Sequence, residues 1–207
     1  MAKGRGFHGD SEQEEMVVKA LRRAVSSYDG LTGRHSGRVG VLAGLLAAQL
    51  DLSCPDRLLV AHAGVVHDLG KLGIPPEILA KEGRLTPEEL DEVRRHPIIG
   101  AEMLLSLSAE LATMAAGVRA HHERWDGGGY PDGLAGEDIP VFGRVLAVVD
   151  VYDAITHPRS YRKTIYSPSH ARAFVEERSG THFDPECVSA SLDVLRARER
   201  GRRQFST

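Results

Sequence analysis

The 207 residues suit one domain, or one domain with a short extension, and 42% hydrophobic content supplies a sizeable core rather than a disordered chain. A formal net charge of -3 gives no electrostatic drive toward nucleic acid polymers or an anionic membrane surface. Two cysteines, Cys54 and Cys187, make neither a disulfide framework nor a thiolate zinc site, and with no bilayer-length apolar run and no apolar secretory stretch a reducing, cytoplasmic setting is expected.

Residues before Ser11 are Gly-rich and read as a frayed tail. Met16, Val17, Ala20, Leu21, Ala24 and Val25 recur at helical spacing, with Glu12, Glu14 and Glu15 near the start where the helix dipole favours them. Asp29-Gly30 and Gly33 break that pattern. A second helix is expected from near His35 through Val39, Leu42, Leu45 and Leu46 to Leu50. Ser53-Cys54-Pro55-Asp56 is a turn and start signal, and Leu58 through Val66 reads as a buried helix. Pro76 suits a first helical position. Thr86-Pro87-Glu88-Glu89 predicts a helix opened by a capping box. His96-Pro97 should end it, because the residue before proline is pushed away from α geometry. Helices follow over 98–105 and from Ser108 to about His122, then a Gly-rich irregular segment from Asp126 to Glu137. Pro140 to Thr156 has Val141, Val145, Val148, Val149 and Tyr152 on a core face. Ser167-Pro168 and Asp184-Pro185 open two more helices, separated by Ser179-Gly180. With no repeat and no strand alternation, the expected fold is all-α: a compact helical bundle over 29–207 behind a tail and helical extension over 1–28.

The chemistry centres on His67-Asp68, which ends an apolar stretch. An imidazole and a carboxylate on neighbouring residues can meet one metal from two sides, and Asp68 has a second oxygen for another ion. Read alone, the pair equally fits a helix-end histidine beside a capping aspartate. His35, His96, His121, His122 and Asp150 supply partners. Asp150 sits in the apolar run Val145 to Val149, where a carboxylate needs a metal, an arginine or a helix end to cap. His62 packs or supports the site; His8, His157, His170 and His182 read as loop or surface residues. Five candidate histidines and two aspartates exceed the needs of one tetrahedral zinc. They fit two five- or six-coordinate ions bridged by Asp68, a centre that lowers the pKa of a bridging water and neutralises phosphoryl charge.

Three longer strings resemble one family: His67-Asp68-Leu69-Gly70-Lys71-Leu72-Gly73-Ile74-Pro75, His96-Pro97-Ile98-Ile99-Gly100-Ala101-Glu102, and His121-His122-Glu123-Arg124-Trp125-Asp126-Gly127-Gly128-Gly129-Tyr130-Pro131. They resemble the HD-GYP branch of the HD phosphohydrolase superfamily, metal-dependent phosphodiesterases of bacterial cyclic di-GMP, over about Leu31 to Pro185. The resemblance implies an HD-domain bundle with a buried metal centre. It implies His35, His67, Asp68 and Asp150 as ligands of one ion, and His96, His121 and His122 as ligands of a second, with Asp68 bridging. Lys71 would contact the scissile phosphate, Tyr130 would sit on a lid and touch ligand, and Arg159 and Arg162 would contact phosphate or guanine. Leu31 stands where three-metal members carry glutamate, which implies two ions. Arg162 replaces the usual lysine and Ser160 the usual proline.

The expected activity is hydrolysis of cyclic di-GMP to pGpG, with a second cut to GMP as the further step, by a metal-activated hydroxide. Iron or manganese is expected, with zinc, nickel or magnesium as alternatives. The competing readings are a non-catalytic cyclic di-GMP receptor or interaction module, and a hydrolase of another cyclic dinucleotide or phosphate ester. Candidate partners are a diguanylate cyclase or other signalling protein, and a second copy of the chain through the helix around Met16–Val25.

Overall fold

This computed structural model describes residues 16, 18–21, 23, 30–157 and 165–204. After helical residues within 16–23, the chain forms α1 (Gly30–Gln49), α2 (Cys54–Val66), α3 (Pro76–Leu79), α4 (Pro87–Val93), α5 (His96–Leu107), α6 (Ala112–Ala120), α7 (Val141–Thr156), α8 (Pro168–Glu176) and α9 (Pro185–Gln204). Short 3₁₀ turns occupy Leu69–Gly73, Ala109–Leu111 and Gly136–Asp138. The expected all-α fold is observed: among the described residues the β-type pairing is an isolated bridge between Ser179 and Phe183.

The apolar run in α7 dictates the architecture. Val145, Leu146 and Val148 are fully buried, and a helix apolar on all sides has to be covered on all sides. The neighbours α1, α2, α6, α8 and α9 all pack on α7. Val18 belongs to the same core, with Leu21 packed against it, so the N-terminal helical residues dock on the bundle. No described helix is long and apolar enough to cross a membrane.

Most helix starts follow local chemistry. Ser53 caps α2 by accepting the Asp56 N–H, and Thr86 and Glu89 form the expected capping box on α4. Two expectations are corrected. Gly33 does not break the helix; α1 begins at Gly30 and continues through Gly33, because glycine in a helix costs only about 1 kcal/mol against alanine and tertiary packing outweighs it. His96-Pro97 does not end α4 but begins α5. Helix α4 already stops at Val93, and Pro97 sits in a first turn, where its missing N–H has no bond to make.

Two close approaches set the spacing of the site. A Cβ on Gly64 of α2 would lie 2.9 Å from Gly40 Cα of α1, so the two backbones touch, and His35 is carried to the end of α2. Gly70 meets the start of α5 still more closely: a Cβ there would fall 1.9 Å from the His96 carbonyl oxygen and 2.5 Å from Gly100 N. The turn after His67-Asp68 is thereby pressed onto the residue that carries the next histidine. Gly70→Ala should destabilise the fold by about 1–3 kcal/mol, roughly 2–12 °C in Tm. An unchanged melting curve would show that the contact yields without cost.

Candidate metal centre

Helix ends leave carbonyls without intrahelical partners, and three histidines use them. His67 and His121 directly follow α2 and α6. His67 Nδ1–H donates to the Gly64 carbonyl at 2.9 Å and His121 Nδ1–H to the Val118 carbonyl at 2.5 Å. His96 Nδ1–H donates to the carbonyl of Val93, the last residue of α4, at 2.7 Å. A carbonyl can only accept, so the proton lies on Nδ1 and each Nε2 presents a lone pair. His35 Nδ1 is held instead by Asp153 Oδ2 at 2.7 Å.

The Nε2 atoms converge. His35 Nε2 lies 3.3 Å from His67 Nε2 and 3.0 Å from Asp150 Oδ1. His96 Nε2 lies 3.3 Å from His121 Nε2. Neither of that second pair has a proton to share, so two lone pairs face each other, a contact that a cation between them would satisfy. The His122 ring packs 4.0 Å from that of His121 and 5.1 Å from that of His96. Asp68 stands between the groups, Oδ2 3.4 Å from His67 Nε2 and Oδ1 3.5 Å from His96 Nε2. Among the described residues, three sets have donor atoms within 4.8 Å of one another: His35, His67 and Asp150; His67, Asp68 and His121; and His96, His121 and His122. The structure thus brings all seven expected ligands together.

Charge matches the geometry. Burial pushes His67 below its ordinary 6.5, His96 and His121 down to about 4, and His122 well below its ordinary range. Burial would raise Asp68, but Lys71 and the surrounding imidazoles hold it well below the ordinary carboxylate range. Burial also opposes Asp150, where His35 and His67 prevail and the carboxyl stays well below its ordinary range. Neutral imidazoles and ionised carboxylates are the donor set of a divalent transition metal. Lys71 offsets one of the two aspartate charges, its Nζ 2.7 Å from Asp68 Oδ2, and the remaining negative charge suits a cation. The residues present fit the metal that the motifs imply.

Tyr130 stacks on His122 with ring centroids 4.9 Å apart and planes 26° apart. Arg159 and Arg162 lie outside the described residues. Asp153 was missed in the sequence although it follows the logic applied to Asp150: it is a second carboxylate, one helical turn on, in an apolar helix. It is 1% exposed and is gripped by Arg38 through Nε to Oδ1 at 2.7 Å and Nη2 to Oδ2 at 2.8 Å. It therefore has the charge and rigidity to orient His35. His182, given no role, bonds Arg124 Nη1 through Nε2 at 2.9 Å and helps to hold the irregular segment.

Two expected outcomes follow from these bonds. Asp153→Ala should lower metal affinity about 10–100-fold in chelator competition; unchanged affinity would show that His35 needs no support. In the metal-free protein, His96 and His121 are deprotonated down to about 4 when folded but only to 6.5 when unfolded. The unfolded chain therefore binds more protons between those values, and stability falls as the pH drops through that window. Melting temperatures should decline from pH 6.5 toward 4, less steeply in His96→Gln, and a flat profile would contradict neutral burial.

Known proteins resemble this chain along most of its length. A family model described as HD domain matches residues 19–187. Over 197 residues the chain is 40% identical to the cyclic di-GMP phosphodiesterase response regulator RpfG of Xanthomonas campestris pv. campestris, covering 95% of this chain and 52% of that protein. It is 37% identical over 186 residues to 3'3'-cGAMP-specific phosphodiesterase 3 of Vibrio cholerae, covering 90% of this chain and 40% of that protein. The solved structure of the cyclic GMP-AMP specific phosphodiesterase V-cGAP3 of V. cholerae shares the fold, with a TM-score of 0.65 at 20% identity over 87% of this chain and 48% of that chain. The chain spans about half the length, or less, of the curated relatives it matches.

Proposed function

Because the chain belongs to the HD domain family, we propose that it is a metal-dependent phosphodiesterase that opens cyclic di-GMP to linear pGpG. The observation that carries this reading is the position of Asp68, whose two oxygens lie 3.4 and 3.5 Å from imidazoles of the two histidine groups. In this reading His35, His67, Asp68 and Asp150 hold one ion, and His96, His121 and His122 with Asp68 hold the other. Leu31 offers no donor atom for a third. Iron or manganese suits the mixed imidazole and carboxylate set, and zinc, nickel or magnesium are the alternatives. Bound ions would supply Lewis acidity at the phosphoryl oxygens and a water of lowered pKa.

The remaining work falls to the chain's own side chains. Lys71, 27% exposed, keeps its ammonium beside Asp68 and can turn to a phosphoryl oxygen as negative charge develops there. Tyr130 offers an aromatic face at the edge of the histidine cluster, where a purine or its ribose would pass. Arg159 and Arg162 keep their expected contacts with phosphate or guanine in this reading. The 40% identity to a protein named for cyclic di-GMP supports the substrate. The 37% identity to a protein named for 3'3'-cGAMP supports a second reading, a cyclic dinucleotide with one adenine. A diguanylate cyclase or other signalling protein as partner, and a cytoplasmic setting in which Cys54 and Cys187 stay unbridged, complete the reading.

Anaerobic incubation with cyclic di-GMP and Fe(II) or Mn(II), resolved by chromatography, tests it. The wild type should release pGpG, and Asp68→Ala should release none and bind less metal per chain. Activity retained in Asp68→Ala would overturn the bridged centre. Binding without product would favour a receptor, and turnover of 3'3'-cGAMP alone would move the substrate to the second reading.

A further inference from the structure

We infer that Glu123 is a positioning residue: it anchors the Gly129-Tyr130-Pro131 loop to the end of α6 and thereby holds Tyr130 against the histidine cluster. The inference rests on the phosphodiesterase reading for its choice of ligand. Glu123 directly follows His121-His122 and is 3% exposed. Its Oε1 accepts the N–H of Asp132 at 2.6 Å and of Gly133 at 3.1 Å, the second and third residues beyond Tyr130. Hydrogen bonds from N–H groups to an ionised carboxylate are roughly twice as strong as neutral ones. The two bonds join the far side of the loop to the residue beside the cluster.

The near side of the loop is joined by backbone. Tyr130 N–H donates to the His122 carbonyl at 3.2 Å. Gly129 passes so close that a Cβ on it would fall 2.3 Å from Arg124 N and 2.5 Å from Glu123 Cα. With both sides tied, the Tyr130 ring lies 4.9 Å from the His122 ring, and the Arg94 guanidinium lies 5.6 Å from the Tyr130 centroid. A second tie to the same loop, Arg119 to Asp132, is bidentate at 2.6 and 2.7 Å with side chains 38% and 34% exposed, so it is partly screened by water, whereas the Glu123 bonds are buried. Glu123 Oε2 has no protein donor. The return for burying this carboxylate is therefore the pair of bonds to the loop, which marks its role as geometric. Glu123 acts on ligand through Tyr130, and the same helix end that carries His121 and His122 also places Tyr130.

The test combines hydrogen exchange at the Asp132 and Gly133 amides with calorimetric titration of cyclic di-GMP, on the full chain. Glu123→Ala should speed exchange of those two amides and weaken cyclic di-GMP binding, each by about ten-fold or more, as expected for losing two charge-assisted bonds. Glu123→Gln keeps an oxygen that can accept both N–H groups, and should restore both readouts to within about three-fold of wild type. In a Tyr130→Ala background, Glu123→Ala should cost no further affinity. Unchanged exchange in Glu123→Ala, no rescue by Glu123→Gln, or an equal affinity loss without Tyr130 would each overturn the anchor. If the wild type neither binds nor cleaves cyclic di-GMP, the functional reading fails, while amide exchange still decides the anchor.

Discussion

The centre depends on hydrogen bonds made on the far side of its imidazoles. His67, His96 and His121 each give their Nδ1 proton to a carbonyl three residues back at a helix end. His35 gives its own to Asp153. A neutral imidazole with Nδ1 committed has one lone pair left, and the bond fixes its direction. Helix ends must satisfy their last carbonyls in some way, so the same bonds complete the helices and aim the imidazole lone pairs. The two readings of a histidine at a helix end, capping residue and metal ligand, are compatible here because one nitrogen caps while the other can meet a metal.

Aim is useful only if the helix ends are close. Buried neutral imidazoles facing one another at 3.3 Å without a shared proton are unfavourable neighbours, and Asp68 and Asp150 add charge that burial penalises. The rest of the bundle holds them in place. Gly40 and Gly64 let α1 and α2 touch, and Gly70 lets the turn after Asp68 meet the start of α5. Around these contacts α7 is buried almost throughout and fixes Asp150 and Asp153 from one rigid element. Stability supplied by that apolar core outweighs the cost of a charged, cation-seeking centre.

The irregular segment after α6 continues the same economy of parts. Trp125 and Asp126 donate backbone N–H groups to the carbonyls of His182 and Thr181, and Arg144 pairs with Asp184. Glu123 and the His122 carbonyl tie in the other side. A loop rich in glycine is thus held from α6 and from the start of α9, and Tyr130 is placed by covalent neighbours of the ligands themselves.

The sequence by itself determined the helices and the membership of the site. Capping residues, prolines in first turns and the uniformly apolar Val145–Val149 run are local signals, and His67-Asp68, His96-Pro97 and His121-His122 stand out because so many imidazoles and carboxylates recur in one chain beside the longer motif strings. The sequence misled where local propensity and packing disagree: Gly33 looks like a break, yet α1 runs through it because packing on the bundle outweighs the cost of glycine. It was silent on Asp153 and Glu123, whose tasks depend on partners far along the chain or across a loop: His35 and Arg38 for one, the Asp132 and Gly133 amides for the other. Which lone pair faces which, and that Asp150 lies beside the His35 Nε2 while Asp153 holds its Nδ1, was decided by tertiary structure, because hydrogen-bond direction depends on where distant helices meet.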